Sequence, residues 1–275
     1  MSDWSHIEAM NRRSLSIVAI ALLAVVCLGM VATAALPLST GDPQGMNESF
    51  TQHGDEEYRL SATVETDGDV SLAVDGAVSD SGEGYVRIVD NGVTDTRYHD
   101  GDDETVYRQL LIEDAGPNQP DADRYIEDIE DDPDERLVRE NRAGETTELV
   151  TVVEDPDNDI GDRLDGGASV VTEVLGFAEY DTVETSDGVR TLTPTDGWFD
   201  EYRSYRIAGS SGEVRVDAET NAVEHADVRW EVTTDVGSYA EYLIAGETTT
   251  QRISYEYEGG DVDVETPEWV DGIDD

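Results

Sequence analysis

A chain of 275 residues with 65 acidic and 17 basic side chains has a formal charge of −48, which disfavours binding to nucleic acid or anionic lipid headgroups, since both want basic patches. Every basic residue is arginine, which excludes a phosphate-loop lysine, a Schiff-base lysine and a Ser-x-x-Lys pair. The lone cysteine, Cys27, excludes an intrachain disulfide and any cysteine-based zinc cluster. Like charge at this density opposes folding in dilute buffer. It is screened in molar salt, where the Debye length falls to about 3 Å, so the composition fits an extreme halophile.

The first predicted element is a membrane span. Arg12 and Arg13 precede an apolar run from Ile17 to Leu36 and, with Leu15, outline a twin-arginine export signal. About 20 helical residues cover the ~30 Å hydrocarbon core of a bilayer, whereas a removable signal core is usually ~7–15 residues. Residues 1–13 therefore read as a cytoplasmic tail and residues 14–36 as a transmembrane anchor or uncleaved signal, with the acidic bulk outside. Two other fates stay open. Ala32-Thr33-Ala34 has the form of a cleavage site. Cys27 is a lipidation candidate, but Val26 stands before it where a small residue is wanted, and a place within the spanning helix is preferred.

Residues 37–57 are rich in Gly, Pro and polar residues and read as a flexible linker, with Asn47 in an Asn-Glu-Ser glycosylation sequon. The predicted extracytoplasmic domain spans residues 58–266. Tyr58, Leu60, Ala62 and Val64 alternate with polar residues, Asp67-Gly68 turns the chain, and Val70, Leu72 and Val74 repeat the pattern. Val86 and Ile88 precede the Asn91-Gly92 hairpin signal, and further strands are expected at residues 94–99 and 105–112.

The middle is predicted helical. Tyr125, Ile126 and Ile129 form one stripe over residues 121–132, and DERLVRENR continues in helical style. Residues 145–154 fit strand and helix equally. Ser169–Tyr180 is the most apolar helix candidate outside the membrane, with Val170, Val171, Val174, Leu175 and Ala178 on its broad face and Gly166-Gly167 as a break before it. Strands return around Asp187-Gly188 and at residues 203–207. Gly209–Gly212 reads as a hairpin loop, and Val214 and Val216 pair with Ala226, Val228, Trp230 and Val232 across a turn at 219–221. Ile253, Tyr255 and Tyr257 lead to a Gly-Gly turn and a last strand with Val262 and Val264. Residues 267–275 are an acidic tail.

The fold class is thus α+β: an N-terminal transmembrane helix, then a large curved antiparallel sheet with inserted helices capping its concave face. GEVRVDAETNAVEHADVRW and the closing ISYEYEGGDVDVETPEWV resemble uncharacterised cell-surface lipoproteins of salt-loving archaea. These are in turn similar to the outer-membrane lipoprotein carrier (LolA-like) half-barrels. The resemblance covers residues 58–270 and rests on hairpin pattern, not on chemistry. It implies a half-barrel whose concave face is partly roofed by helices, with an apolar cavity between, and carries over no ligand residue.

Chemistry is sparse. His6, His53, His99 and His225 nowhere share metal-ligand spacing, and His225 is read as a solvated strand residue. Asp155, Asp157 and Asp159 match the first, third and fifth positions of a calcium loop. Ile160 stands where Gly is wanted and Gly166 where the bidentate Glu belongs, so an acidic loop, with Asp165 near a helix N-terminus, is the plainer reading. No other cofactor is implied. Tyr85, Tyr98, Tyr107, Tyr202, Tyr205, Tyr255 and Tyr257 either line an apolar pocket or simply pack the sheet. The expected function is non-enzymatic: a membrane-anchored, single-pass domain that holds or passes a lipid-like ligand, with the Ser169–Tyr180 helix as lid. A cell-surface interaction module without ligand is the second reading, and a carboxylate-based hydrolase the third. The membrane is the one partner implied; nucleic acid is not, and protein partners are open.

Overall fold

The computed structural model describes residues 50–53, 57–101, 105–113, 121–154, 160–198, 206–233, 248–270 and 273. The expected anchor, Arg12, Arg13, Cys27, Asn47 and the Asp155, Asp157, Asp159 constellation lie outside them. Among the described residues no helix is long and apolar enough to cross a membrane.

Contacts divide the chain into two units. The larger comprises Met46–Asp196, Ile207–Val232 and Thr249–Asp275. The smaller includes Gly197–Arg206 and Thr233–Thr248, and within it Thr233 Oγ1 donates to the Arg206 carbonyl at 3.3 Å.

In chain order the elements are β1 (Tyr58–Thr66), β2 (Asp69–Val78), β3 (Glu83–Asp90), β4 (Val93–Asp100), β5 (Thr105–Glu113), α1 (Ala122–Asp131), β6 (Glu135–Ala143) and β7 (Thr146–Glu154). Then follow α2 (Ile160–Leu175), β8 (Glu179–Ser186), β9 (Val189–Thr195), the two-residue β10 (Gly197–Trp198), β11 (Arg206–Asp217), β12 (Val223–Thr233) and β13 (Thr248–Gly259). Twelve strands form one open, mostly antiparallel sheet in the order β6-β7-β5-β4-β3-β2-β1-β13-β12-β11-β9-β8. Two features depart from simple hairpin order: β7 slots between β5 and β6, and β1 pairs along its length with β13, from Tyr58 opposite Gly259 to Thr66 opposite Gln251.

The hairpin turns follow from their residues. Asp67, Asn91 and Asp187 take φ of 54°, 47° and 53°, and each is followed by a glycine at positive φ. Two consecutive left-handed residues make the turn whose twist matches the flanking strands. The predicted alternation in β1 holds, with Tyr58, Leu60, Ala62 and Val64 buried. The predicted helix at 121–132 is α1. Asp121 caps it by accepting from the Asp123 N–H at 3.0 Å, and Tyr125, Ile126 and Ile129 pack on Leu110, Ile112 and Leu149.

Four expectations are corrected, and one segment that fits strand and helix equally is assigned. DERLVRENR is strand β6, not helix; as an edge strand it has one paired side, and its charged side chains mask the period of two. Residues 146–154 are strand β7. Leu149, Val150, Thr151, Val152 and Val153 are all buried, and a strand covered on both faces shows no alternation to read. Gly166-Gly167 is no break: α2 starts at Ile160, runs through both glycines and stops at Leu175, leaving Ala178 outside the helix. Gly209–Gly212 lies within β11; a Cβ at Gly212 would stand 1.9 Å from the Asp227 carbonyl oxygen, so the glycine marks close strand approach, not a loop. Val262 and Val264 form no strand, because β13 already has β1 and β12 on its two sides.

Residues 261–270 instead make a strap along the sheet face opposite α2. The Arg59 guanidinium donates to the Asp263 carbonyl at 3.3 Å, the Tyr98 and Thr266 hydroxyls lie 3.0 Å apart, and Arg139 donates to the Trp269 carbonyl at 3.3 Å. Its start is held by the Glu57 carboxylate, which accepts from the Val262 N–H at 3.1 Å. Val150 and Val152, whose side chains point to this face, are buried.

Candidate functional site

Helix α2 lies along β1 to β4 and buries Ile160, Leu164, Ala168, Val171, Thr172 and Leu175. The seat is close. A Cβ at Gly76 would stand 2.8 Å from Leu164 Cδ1, and one at Gly167 3.0 Å from Val74 Cγ2. Interiors packed this tightly leave no room for a methyl group, let alone a ligand. Of the expected lid residues, Val171, Leu175 and Ala178 are buried, Val174 is half-buried and Val170 is 47% exposed. The helix is docked on the sheet through side chains that fill the space beneath it.

Beside the helix an aromatic wall follows from the β1–β13 register, which sets Leu60 opposite Tyr257 and Ala62 opposite Tyr255. Tyr58 and Tyr257 have ring centroids 5.6 Å apart, and His53 stacks on Tyr257 at 4.2 Å. The Tyr58 hydroxyl donates to Asp165 Oδ1 on α2 at 2.6 Å, and Gln52 donates to the Asp165 carbonyl at 2.7 Å. Burial, reinforced by the Asp165 carboxylate, pushes the Tyr58 and Tyr255 phenols well above the usual tyrosine range. Burial alone does the same to Tyr180, whose hydroxyl donates to the Leu175 carbonyl at 2.8 Å while Phe50 meets its ring edge-on.

Among the described residues, three buried atoms on this side of the sheet have no hydrogen-bond partner: His53 Nε2, Tyr255 Oη and Trp230 Nε1. Tyr255 and Trp230 are each 1% exposed. Leaving such a group unpaired costs about 1–3 kcal/mol.

A second polar constellation lies on the same face between the two helices. Asp95 takes hydrogen bonds from Arg108 at 2.9 Å and Arg97 at 3.4 Å. Arg108 reaches Glu135 at 3.2 Å, and Glu135 also accepts from Thr151 at 2.6 Å. Burial works against the Asp95 charge, but Arg108 and Arg97 outweigh it and hold the carboxyl below its ordinary value. Burial lowers Arg97, while the two carboxylates raise Arg108 against the same penalty. Arg97, Asp95, Arg108, Glu135 and Thr151 thus form one linked network.

The expected tyrosines divide between faces. Tyr255 and Tyr257 join the wall, whereas Tyr85, Tyr98 and Tyr107 stand opposite one another on the far face; Tyr202 and Tyr205 lie outside the described residues. Phe50–His53 are wall residues that the linker reading hid. Thr51 bridges to Ala222 and docks them, and their signal was the appearance of Phe and His in an otherwise small, polar stretch. Asp165, read as a helix N-terminal acid, sits mid-helix and faces the wall. His225 is solvated as expected, with Nδ1 2.6 Å from Glu256 Oε2. Among the described residues no three His, Cys, Asp or Glu side chains are grouped to hold a metal ion.

No protein-family model matches the chain, and comparison with curated proteins finds no match.

Proposed function

We propose that this chain is a membrane-anchored, extracytoplasmic, non-enzymatic protein of a halophile that binds an apolar, lipid-like ligand bearing hydrogen-bond acceptors. The ligand lies against the aromatic wall of β1 and β13, not beneath α2. The carrying observation is the pair of buried donors without partners among the described residues at Tyr255 and Trp230, with His53 Nε2 also without one, set among rings and aliphatic side chains. Apolar lining with a few oriented polar groups is the usual make-up of a small-molecule site. The resemblance to half-barrel lipid carriers supports a curved sheet with this face as its concave side, and the apolar N-terminal run supports the anchor.

A second reading, a surface interaction module with a filled core, draws on the tight seat of α2 over Gly76 and Gly167. The hydrolase reading draws on little, since Asp95 is held ionised by two arginines and lacks the proton a general acid must give. Native mass spectrometry of the full-length protein, purified at molar salt, separates the first two. The ligand reading expects an adduct of lipid mass that Tyr255→Leu diminishes. Protein of bare sequence mass in both forms overturns it in favour of the module.

A further inference from the structure

The face opposite α2 holds a cavity of about 370 Å³ lined by Glu65, Asp67, Gly68, Arg229, Thr250 and Arg252. Its frame is fixed from two directions. The Asp67 N–H donates to the Thr250 carbonyl at 2.7 Å, and the Thr250 N–H returns to Asp67 Oδ1 at 2.8 Å. Arg252 donates to both oxygens of Asp227 at 3.1 Å each, which sets the direction of its guanidinium. A Cβ at Gly68 would meet nothing within 4 Å, which keeps the rim open at the turn.

Arg229 completes the site and is its least expected member. In a chain with 65 carboxylates and 17 cations, no carboxylate among the described residues pairs with it. Its guanidinium is left to recognise a planar oxyanion from outside. A bare anion is a poor match, because Glu65 and Asp67 line the same space and balance the two arginines. No apolar or aromatic side chain lines it either, which excludes the class of ligand proposed for the other face. What remains complementary is a molecule with a carboxylate for Arg229 and several hydroxyls, donating to Glu65 and accepting from the Thr250 hydroxyl.

We infer that this cleft binds a saccharide acid, a polyhydroxylated ring carrying one carboxylate. The site is independent of the lipid reading, since it shares no residue with the aromatic wall.

The test is calorimetric titration of the full-length protein at molar salt with glucuronate, glucose and sulfate. Glucuronate should bind, glucose at least about tenfold more weakly, and Arg229→Gln should weaken glucuronate by about tenfold or more. Thr250→Val should weaken glucuronate and glucose alike, through the hydroxyl they share. Sulfate binding as tightly as glucuronate would reduce the cleft to a general anion site and overturn the inference. Absence of any glucuronate heat, or equal binding by Arg229→Gln, overturns it as well.

Discussion

Asp95 serves two guanidiniums at once, at 2.9 Å to Arg108 and 3.4 Å to Arg97, with most of its side chain covered. Its folded-state pKa lies below the value of about 3.9 expected in an unfolded chain. A depressed carboxyl contributes stability that is complete above the unfolded value and is lost as pH falls through the folded one. Asp95→Asn should therefore cost roughly 3 kcal/mol at neutral pH, because it takes a carboxylate from two buried cations and leaves Arg108 to Glu135. It should also flatten the decline in stability below about pH 4. Chemical denaturation at molar salt, repeated from neutral pH down to about pH 3, reads both effects; an unchanged acid slope in Asp95→Asn would remove Asp95 from the account. None of this pairing was legible in the sequence. At such acid density every arginine has candidate partners nearby, and only the β4–β5 register, which sets Arg97 opposite Arg108 and Asp95 opposite Leu110, selects among them.

At the level of elements, the readable parts were those whose local chemistry acts alone. Asn91-Gly92 specifies its turn, Asp121 caps its helix, and one-sided burial writes the alternation of β1. The unreadable parts depend on distant partners. Strand β7 is covered on both faces, α2 tolerates Gly167 because Val74 lies against it, and Phe50–His53 are held by residues 221–223, Tyr180, β13 and α2. The strap at residues 261–270 belongs to this second group, since its valines alternate like a strand and find no edge to join. It covers a face that holds buried Val150 and Val152. Ending the chain after Gly260 should thus expose apolar surface and lower stability by about 2–4 kcal/mol, given ~1.5–3 kcal/mol per fully buried aliphatic side chain. Thermal melting with a hydrophobic dye reports both. A truncated chain that melts like the intact one and binds no dye would show the strap to be ornamental.

For the whole molecule, charge dominates. A formal −48 with cations confined to arginine, several of them tied into pairs such as Arg108–Glu135 and Arg252–Asp227, leaves a large uncompensated field. Raising KCl from about 0.1 M to about 2 M should lift the melting midpoint by at least ~10 °C, a few kcal/mol for a chain of this size. Potassium chloride is the right probe because it screens without the strong exclusion effects of sulfate. A midpoint indifferent to KCl would mean that the carboxylates are neutralised some other way.

The pairing of β1 with β13 has a consequence for how the protein comes into being. The seam through the middle of the sheet is stitched from residues 58–66 and 251–259, so almost the entire polypeptide must be synthesised before it can form. Contacts this remote in sequence form slowly, and until they do the two flanking sets of hairpins present raw, hydrogen-bonding borders.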